Sequence, residues 1–314
     1  MRVTQQMMAA STLGNLNNLR ARQASLSEQI SSGDRITRVS EDPTAGAEVM
    51  RIQNRGQAVK QWKVNLGDAK SWVYATESKL GDMTNILNQA KELAMQAFNG
   101  SASDETRKGL AAGAEQILED LKAAMNEREP VGALFGGFVT DADPFSVDAA
   151  GVVTYNGDAN ALQRDVGPGI TLTSNISGDR LAGNLPGGWT NQDNMLSTAW
   201  GLAQALKAGK TEYTDPGPPP VVKYTADQIM SNLDNARQNV IALRSEMGAR
   251  QIRIEAMETR ITDTEVKLES ALEEAQGVDA AKALLELSNA ETTYRAALQV
   301  GGRVLPQSLA DFLR

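Results

Sequence analysis

"ISSGDRITRVSEDPTAGAEV" (residues 30–49) separates two helical patterns, a short one before it and a much longer one after it. Upstream, one helical face reads Ala9, Thr12, Leu16, Leu19, Gln23, Leu26 and Ile30. The steps alternate between three and four, as a coiled-coil seam requires. The run stops at the breakers Ser31-Ser32-Gly33-Asp34. Asp42 can cap a new helix, and Pro43 suits a first helical position, where no amide hydrogen bond is lost. The stretch therefore predicts a short helix, a polar break, and a second helix opening at Pro43.

That second helix is expected to run to about Phe98. Its seam reads Ala45, Val49, Ile52, Gly56, Val59, Trp62, Leu66, Ala69, Val73, Thr76, Leu80, Met83, Leu87, Ala90, Ala94 and Ala97. The step from Val59 to Trp62 is three where four is due, a stammer. At 1.5 Å per residue the helix would be about 80 Å long, more than an ordinary globular domain holds. Asn99-Gly100 turns the chain, and Ser103 caps a third helix with Asp104 and Glu105 in its first turn. Leu110, Ala114, Ile117, Leu121 and Ala124 continue the pattern, which fades before Pro130.

Residues 130 to about 222 change character, with frequent glycine and proline. "GVVTYNGD" (151–158) and "GITLTSNISG" (169–178) read as short strands between turns. A helix from about Asn194 to Ala208 places Met195, Leu196, Ala199, Trp200, Ala203 and Leu206 on one face. "DPGPPP" (215–220) reads as a stiff extended linker. Helical order returns with a capping box at Thr225 and Gln228. From Ile229 through Leu233, Ala236, Val240, Leu243, Met247, Arg250, Ile254, Met257, Ile261, Thr264, Leu268 and Ala271 to Ala275 the seam alternates without error, and Glu246–Arg250 is a well-oriented pair. A last apolar helix carries Leu284, Leu285, Leu287, Ala290, Tyr294, Ala297 and Leu298, before the tail "RVLPQSLADFLR".

The expected fold is mainly α with a β-rich insertion. Long helices from both termini form an antiparallel coiled-coil-like core, and an α+β or β domain lies between them and faces outward. The divisions are 1–42, an N-terminal assembly segment; 43–129, the first part of the helical core; 130–222, the inserted domain; 223–275, the second part of the core; and 276–314, a C-terminal assembly segment. Residues 1–40 bury too little apolar area to offset the entropy of ordering them, and isolated helices of this length are marginal. Both ends are expected to need partner surfaces and to order fully on assembly.

The chain contains no cysteine and no histidine. Disulfides, thiolate or imidazole metal sites and Ser-His-Asp triads are therefore impossible. A net charge of −8 and the lack of a long basic run disfavour nucleic acid. No apolar stretch is long enough to span a membrane, and the N-terminus lacks the apolar core of a secretory signal. "AGKT" (208–211) lacks the upstream glycine and strand of a phosphate loop. Asp141-Ala142-Asp143 begins like a calcium loop but lacks its closing glutamate. Acidic neighbours such as Glu273-Glu274 point about 100° apart on a helix and do not converge. Asn175-Ile176-Ser177 fits a glycosylation sequon, a pattern common by chance. No catalytic, metal-binding or cofactor-binding residue is assigned, and no cofactor is expected.

The opening stretch resembles the N-terminal motif of the flagellin superfamily: a helix, a Ser/Thr-Gly-basic turn, then a helix opened by an acidic pair. "MRVTQQM" and Glu41-Asp42-Pro43 are more similar to that superfamily's hook–filament junction branch than to filament flagellin, which usually lacks the proline. "YNGDANALQRDVGPGITLTSNISG" and "NMLSTAWGLAQALKAGKTE" resemble the middle of that branch. "LRSEMGARQIRIEAMETRI" is similar to the C-terminal helix shared by the superfamily. The resemblance implies a structural protein and not an enzyme: a ring subunit of the extracellular bacterial flagellum, joining hook to filament. It implies partners in copies of itself, in the first hook-associated protein on the hook side, in flagellin on the filament side, and in an export chaperone. It also implies export unfolded through the flagellar type III channel, without a cleaved signal peptide. Inter-subunit packing is expected of Leu13, Leu16, Leu19, Leu26 and Ile30 at one end. At the other it is expected of Leu284, Leu285, Leu287, Leu298, Val304, Leu305, Leu309, Phe312 and Leu313. A flagellin filament subunit is the alternative reading, supported by "LPQSL" and the final arginine. A carboxylate-dependent hydrolase with coiled-coil arms is the remote one.

Overall fold

The computed structural model describes residues 2–38, 40–130, 132–139, 141–148, 151–182, 194–214 and 223–304. Helix α1 spans Arg2–Ser32, α2 Pro43–Phe98 and α3 Asp104–Met125. Strands β1 (Arg128–Glu129), β2 (Gly132–Ala133), β3 (Phe145–Val147), β4 (Val153–Tyr155), β5 (Gln163–Gly167) and β6 (Ile170–Thr173) follow. Then come α4 (Gly178–Ala182), α5 (Met195–Lys207), β7 (Glu212–Thr214), β8 (Lys223–Thr225), α6 (Ala226–Gln276) and α7 (Ala280–Val304). The predicted ends of α2, α5 and α6 fall within a residue of the observed ones. "DPGPPP" and the tail from Leu305 onward lie outside the described residues.

The expected caps form. Asp42 Oδ1 accepts from the Thr44 and Ala45 amides at 3.2 and 3.1 Å. Ser103 Oγ accepts from the Thr106 amide at 3.1 Å. Thr225 and Gln228 close their box reciprocally, at 3.1 and 3.3 Å. Each satisfies amides that a helix start leaves unpaired.

The chain divides into two compact units, residues 60–261 and residues 1–59 with 262–314. The first division falls inside α2 at the stammer, where Val59 is buried and Trp62 is only half-buried. Within residues 60–261, α2 and α6 run antiparallel. The pairs Lys70–Glu258 (2.7 Å), Tyr74–Glu255 (3.2 Å), Glu77–Arg244 (2.7 Å) and Lys91–Asp234 (2.5 Å) ascend one helix and descend the other. Their seams meet in a buried core: Val73, Leu80, Met83, Leu87, Leu233, Val240 and Met247 are buried. On α3, Ala114, Ile117 and Leu121 are buried, and the helix also packs against α5. Almost the whole of α5 is buried, not one face of it.

The β structure consists, among the described residues, of four two-stranded antiparallel ribbons, β1–β2, β3–β4, β5–β6 and β7–β8. Strands β4 and β6 lie in the two predicted stretches. The others are too short for their alternation to show in sequence. The insertion is tied to α6 by a charged cluster. Arg250 Nη1 donates to the Thr173 and Asn175 carbonyls at 3.1 and 2.8 Å. Glu246 receives Arg250 at 2.5 Å and Arg180 at 2.7 Å. The bond from Arg180 chiefly holds the Glu246 carboxyl below its ordinary range, against the effect of burial. Nearby, the Tyr155 hydroxyl contacts the Phe135 and Asp158 carbonyls and the Gly178 amide. Burial is the main reason its pKa is pushed up to about 12.

Motifs without assigned chemistry have structural roles. "AGKT" is the C-terminal turn of α5: the Gly209 and Lys210 amides return to Leu206 and Ala205 carbonyls, and Gly209 has φ 68°. A helix C-terminus repels phosphate rather than binding it. Asp141 and Asp143 face Arg128, which reaches the Asp141 carbonyl and Asp143 Oδ1. Asn175 is buried, bonding the Leu162 amide and the Asn160 carbonyl, so the folded chain does not present the sequon.

Candidate assembly surface

The polar break of residues 33–42 has a counterpart at 277–279, and the two lie side by side. Gly33 turns the chain with φ 79°, a conformation that favours glycine. Asp34 then bridges Gly277. The Arg35 amide donates to the Gln276 carbonyl at 2.6 Å, and the Val278 amide to the Gly33 carbonyl at 2.9 Å. Asp279 caps α7 through the Lys282 amide at 3.1 Å. Thr37 and Glu41 brace the break from within. Both long helices thus stop together, and α1 and α7 pair beyond the stop.

The α1–α7 contact is built from two unlike faces. On α1, six of the predicted seam positions are covered: Leu26 is buried, and Thr12, Leu16, Leu19, Gln23 and Ile30 are half-buried, as are Ser25 and Gln29; the side chain of Ala9 lies outside the described residues. On α7 they are Ala283, Leu287, Ala290, Tyr294, Ala297 and Gly301, again in alternating steps of four and three. Most of these are small, so the backbones can approach closely. A methyl group at Gly301 would already lie 3.4 Å from Thr12 Cγ2. The Arg20 guanidinium lies 6.0 Å from the Tyr294 ring centre, and Arg22 reaches Glu286 at 3.6 Å. Exposed pairs of this kind contribute little.

The structure separates the residues expected to mediate packing. Leu26 lies inside the chain's own packing, while Leu16, Leu19, Ile30 and Leu287 are partly covered. Leu13, Leu284, Leu285 and Leu298 are exposed, Leu285 at 65%. Val304 ends α7, with its side chain outside the described residues, as are Leu305, Leu309, Phe312 and Leu313. Met7 and Val300 add to the exposed apolar surface. They were missed because a single methionine near a terminus and a valine one position from a glycine pair carry no periodic signal. Helix α7 therefore carries apolar side chains on the face its own chain covers, where Leu287 and Tyr294 stand among smaller residues, and others, Leu284, Leu285 and Leu298, that its own chain leaves exposed.

The family description "Bacterial flagellin N-terminal helical region" matches residues 3–129, and "Bacterial flagellin C-terminal helical region" matches residues 230–313. The chain belongs to the bacterial flagellin family. It is 25% identical to flagellar hook-associated protein 3 of Escherichia coli (strain K12), over 84% of each chain. It is 26% identical to flagellin of Salmonella montevideo, over 61% of this chain and 47% of that one. Its fold is shared with the crystal structure of the flagellar junction protein FlgL from Legionella pneumophila: TM-score 0.57, 17% identity, covering 73% of this chain and 100% of that one. Among the described residues, no helix is long and apolar enough to cross a membrane.

Proposed function

We propose that this chain is the structural subunit joining the flagellar hook to the filament. The observation that carries this reading is the extent of the match to hook-associated protein 3. It runs through 84% of this chain, so it includes part of the insertion, whereas the matches to Salmonella montevideo flagellin and to a Treponema maltophilum filament core protein cover 61% and 73% of it. The subunit polymerises into a ring, with the first hook-associated protein on one side and flagellin on the other. Its work is mechanical, not catalytic. An export chaperone escorts it to the flagellar type III channel, and it acts outside the cell.

Residues 1–42 and 276–314 act as assembly segments. The α1–α7 seam holds each chain's own ends together, and Leu13, Leu284, Leu285 and Leu298 take neighbouring subunits. Their exposure supports this, because burying large aliphatic side chains stabilises a contact by about 1.5–3 kcal/mol each. The decisive experiment deletes the gene and follows the flagella. Cells should keep their hooks and shed flagellin monomers into the medium. Normal filaments without this chain would overturn the reading, and long filaments formed by the purified chain alone would favour a filament subunit.

A further inference from the structure

The chain contains two Asn-Gly pairs, Asn99-Gly100 and Asn156-Gly157, and folds them differently. Asparagine is a thermolabile residue, and a following glycine exposes it most, because no Cβ hinders the next amide nitrogen from reaching the side-chain carbon. Whether that approach is open depends on what holds the turn.

Asn99-Gly100 joins α2 to α3, and both residues are exposed. Asn99 Oδ1 accepts from the Ser101 amide at 3.3 Å, and the Asn99 carbonyl accepts from the Ala102 amide at 2.9 Å. Among the described residues, Asn99 Nδ2 makes no hydrogen bond. A donor at Oδ1 polarises Cγ and stabilises the oxyanion formed when a nucleophile adds there. An unheld Nδ2 is free to depart. The fold makes no demand for glycine at position 100. Its φ lies outside the left-handed region, and a methyl group added to it would meet no atom within 4 Å. Other groups fix the joint: Arg107 Nε donates to the Ala97 carbonyl at 3.0 Å, and Ser103 caps α3.

Asn156-Gly157 is clamped. The Asn156 amide donates to the Pro144 carbonyl at 2.8 Å, and its Nδ2 to the Asp143 carbonyl at 3.2 Å. The Asp158 amide donates to the Gly136 carbonyl at 3.1 Å, while Asp158 Oδ1 accepts the Phe138 and Asn160 amides at 3.0 and 2.9 Å. Here glycine is required by space, since a methyl group would lie 2.5 Å from the Tyr155 ring. Backbone and leaving group are both held, so ring closure would have to break the turn.

We propose that Asn99 is a site of spontaneous modification by water, at which the Gly100 amide nitrogen closes on the side-chain amide and leaves aspartate or isoaspartate at the end of α2. Hydroxide takes the Gly100 amide proton, and the nitrogen adds to Asn99 Cγ. The Cγ–Nδ2 bond then breaks, and ammonia leaves with a proton from water. Water opens the resulting cyclic imide. Opening at Cγ gives aspartate, and opening at the main-chain carbonyl gives isoaspartate. No electrons are gained or lost. Either product places a negative charge at the C-terminus of α2, where the helix dipole disfavours it. Isoaspartate also adds a methylene group to the main chain. The extent of conversion records the age of the folded chain, and the property is independent of the junction role.

Trypsin separates the two pairs, into peptides of residues 92–107 and 129–164. The folded full-length chain is held at mildly alkaline pH in heavy-oxygen water and then digested in ordinary water, so that only earlier conversions carry the label. Label should accumulate in residues 92–107, placed at Asn99 by fragmentation and split between aspartate and isoaspartate. Asn156 should convert at least about tenfold more slowly. In denaturant the two rates should converge. Gly100→Ala should slow conversion at Asn99 at least about tenfold, with the melt of the fresh chain unchanged. Equal rates at the two pairs in the folded chain, conversion of Asn99 only after denaturation, or conversion of Gly100→Ala at the parental rate would overturn the proposal.

Discussion

Residues 60–261 and the α1–α7 pair share one sequence rule, alternating steps of three and four, and use it differently. In the first, large side chains meet large side chains: Leu80 and Met83 on α2 are fully covered, as is Met247 on α6. In the second, Ala283, Leu287, Ala290, Tyr294, Ala297 and Gly301 meet Thr12, Leu16, Leu19, Gln23, Leu26 and Ile30, most of them only half-buried. Burial near 25 cal/mol per Å² of apolar surface makes the first self-sufficient and leaves the second thin. On α7, Leu287 and Tyr294 are partly covered, while Leu284, Leu285 and Leu298 are exposed. The same period can therefore build a fully buried core or a thinner pair that stays partly open.

The sharpest way to break this contrast is Leu80→Ala. Truncating a fully buried seam leucine should cost about 2–5 kcal/mol, read as a lower melting temperature of the free chain. A loss below 1 kcal/mol would mean the core is not self-completing. Tyr155→Phe should come next, at about 1–3 kcal/mol, because it leaves the Phe135 and Asp158 carbonyls and the Gly178 amide without their hydroxyl. Hydrogen exchange around residues 135–139 should rise with it.

Glu246→Gln should cost about 1 kcal/mol, a figure kept small because solvent screens so open a pair. Its pH dependence has a definite sign. The folded carboxyl sits below its ordinary range, so its contribution is complete above the unfolded value of about 4.3 and lost as pH falls through the folded value. The gap between parent and variant should hold near neutral pH and close on acidification below about 4.3. A gap that persists undiminished into strong acid would remove the electrostatic account. Leu285→Ala should be nearly silent in the free chain, within about 0.5 kcal/mol, yet should impair incorporation into flagella. Equal helix content by circular dichroism in monomer and polymer would separately count against termini that order on assembly.

Much of the helical core was legible in single residues. Gly33, Asp42-Pro43, Ser103 and Thr225/Gln228 mark helix boundaries through local chemistry, and their bonds are local. The seams of α2 and α6 were equally plain, because long runs of one period leave few other readings. The short ribbons were harder. Strands such as Phe145–Val147 and Gln163–Gly167 are defined by their partners across a turn, not by a pattern of their own. The Arg180–Glu246–Arg250 cluster was visible only as the Glu246–Arg250 pair, since Arg180 comes from distant sequence.

The sequence by itself determined where helices begin and end, which residues share a face, and which chemistries are impossible without cysteine or histidine. Only the tertiary structure decided that the break at Gly33-Asp34 lies against Gly277-Val278, and that α7 sets Leu287, Tyr294 and its small residues against α1 while leaving Leu284, Leu285 and Leu298 exposed. The reason is physical. Periodicity is set by the geometry of one helix, whereas the choice between two apolar faces depends on how closely a second helix can approach each of them.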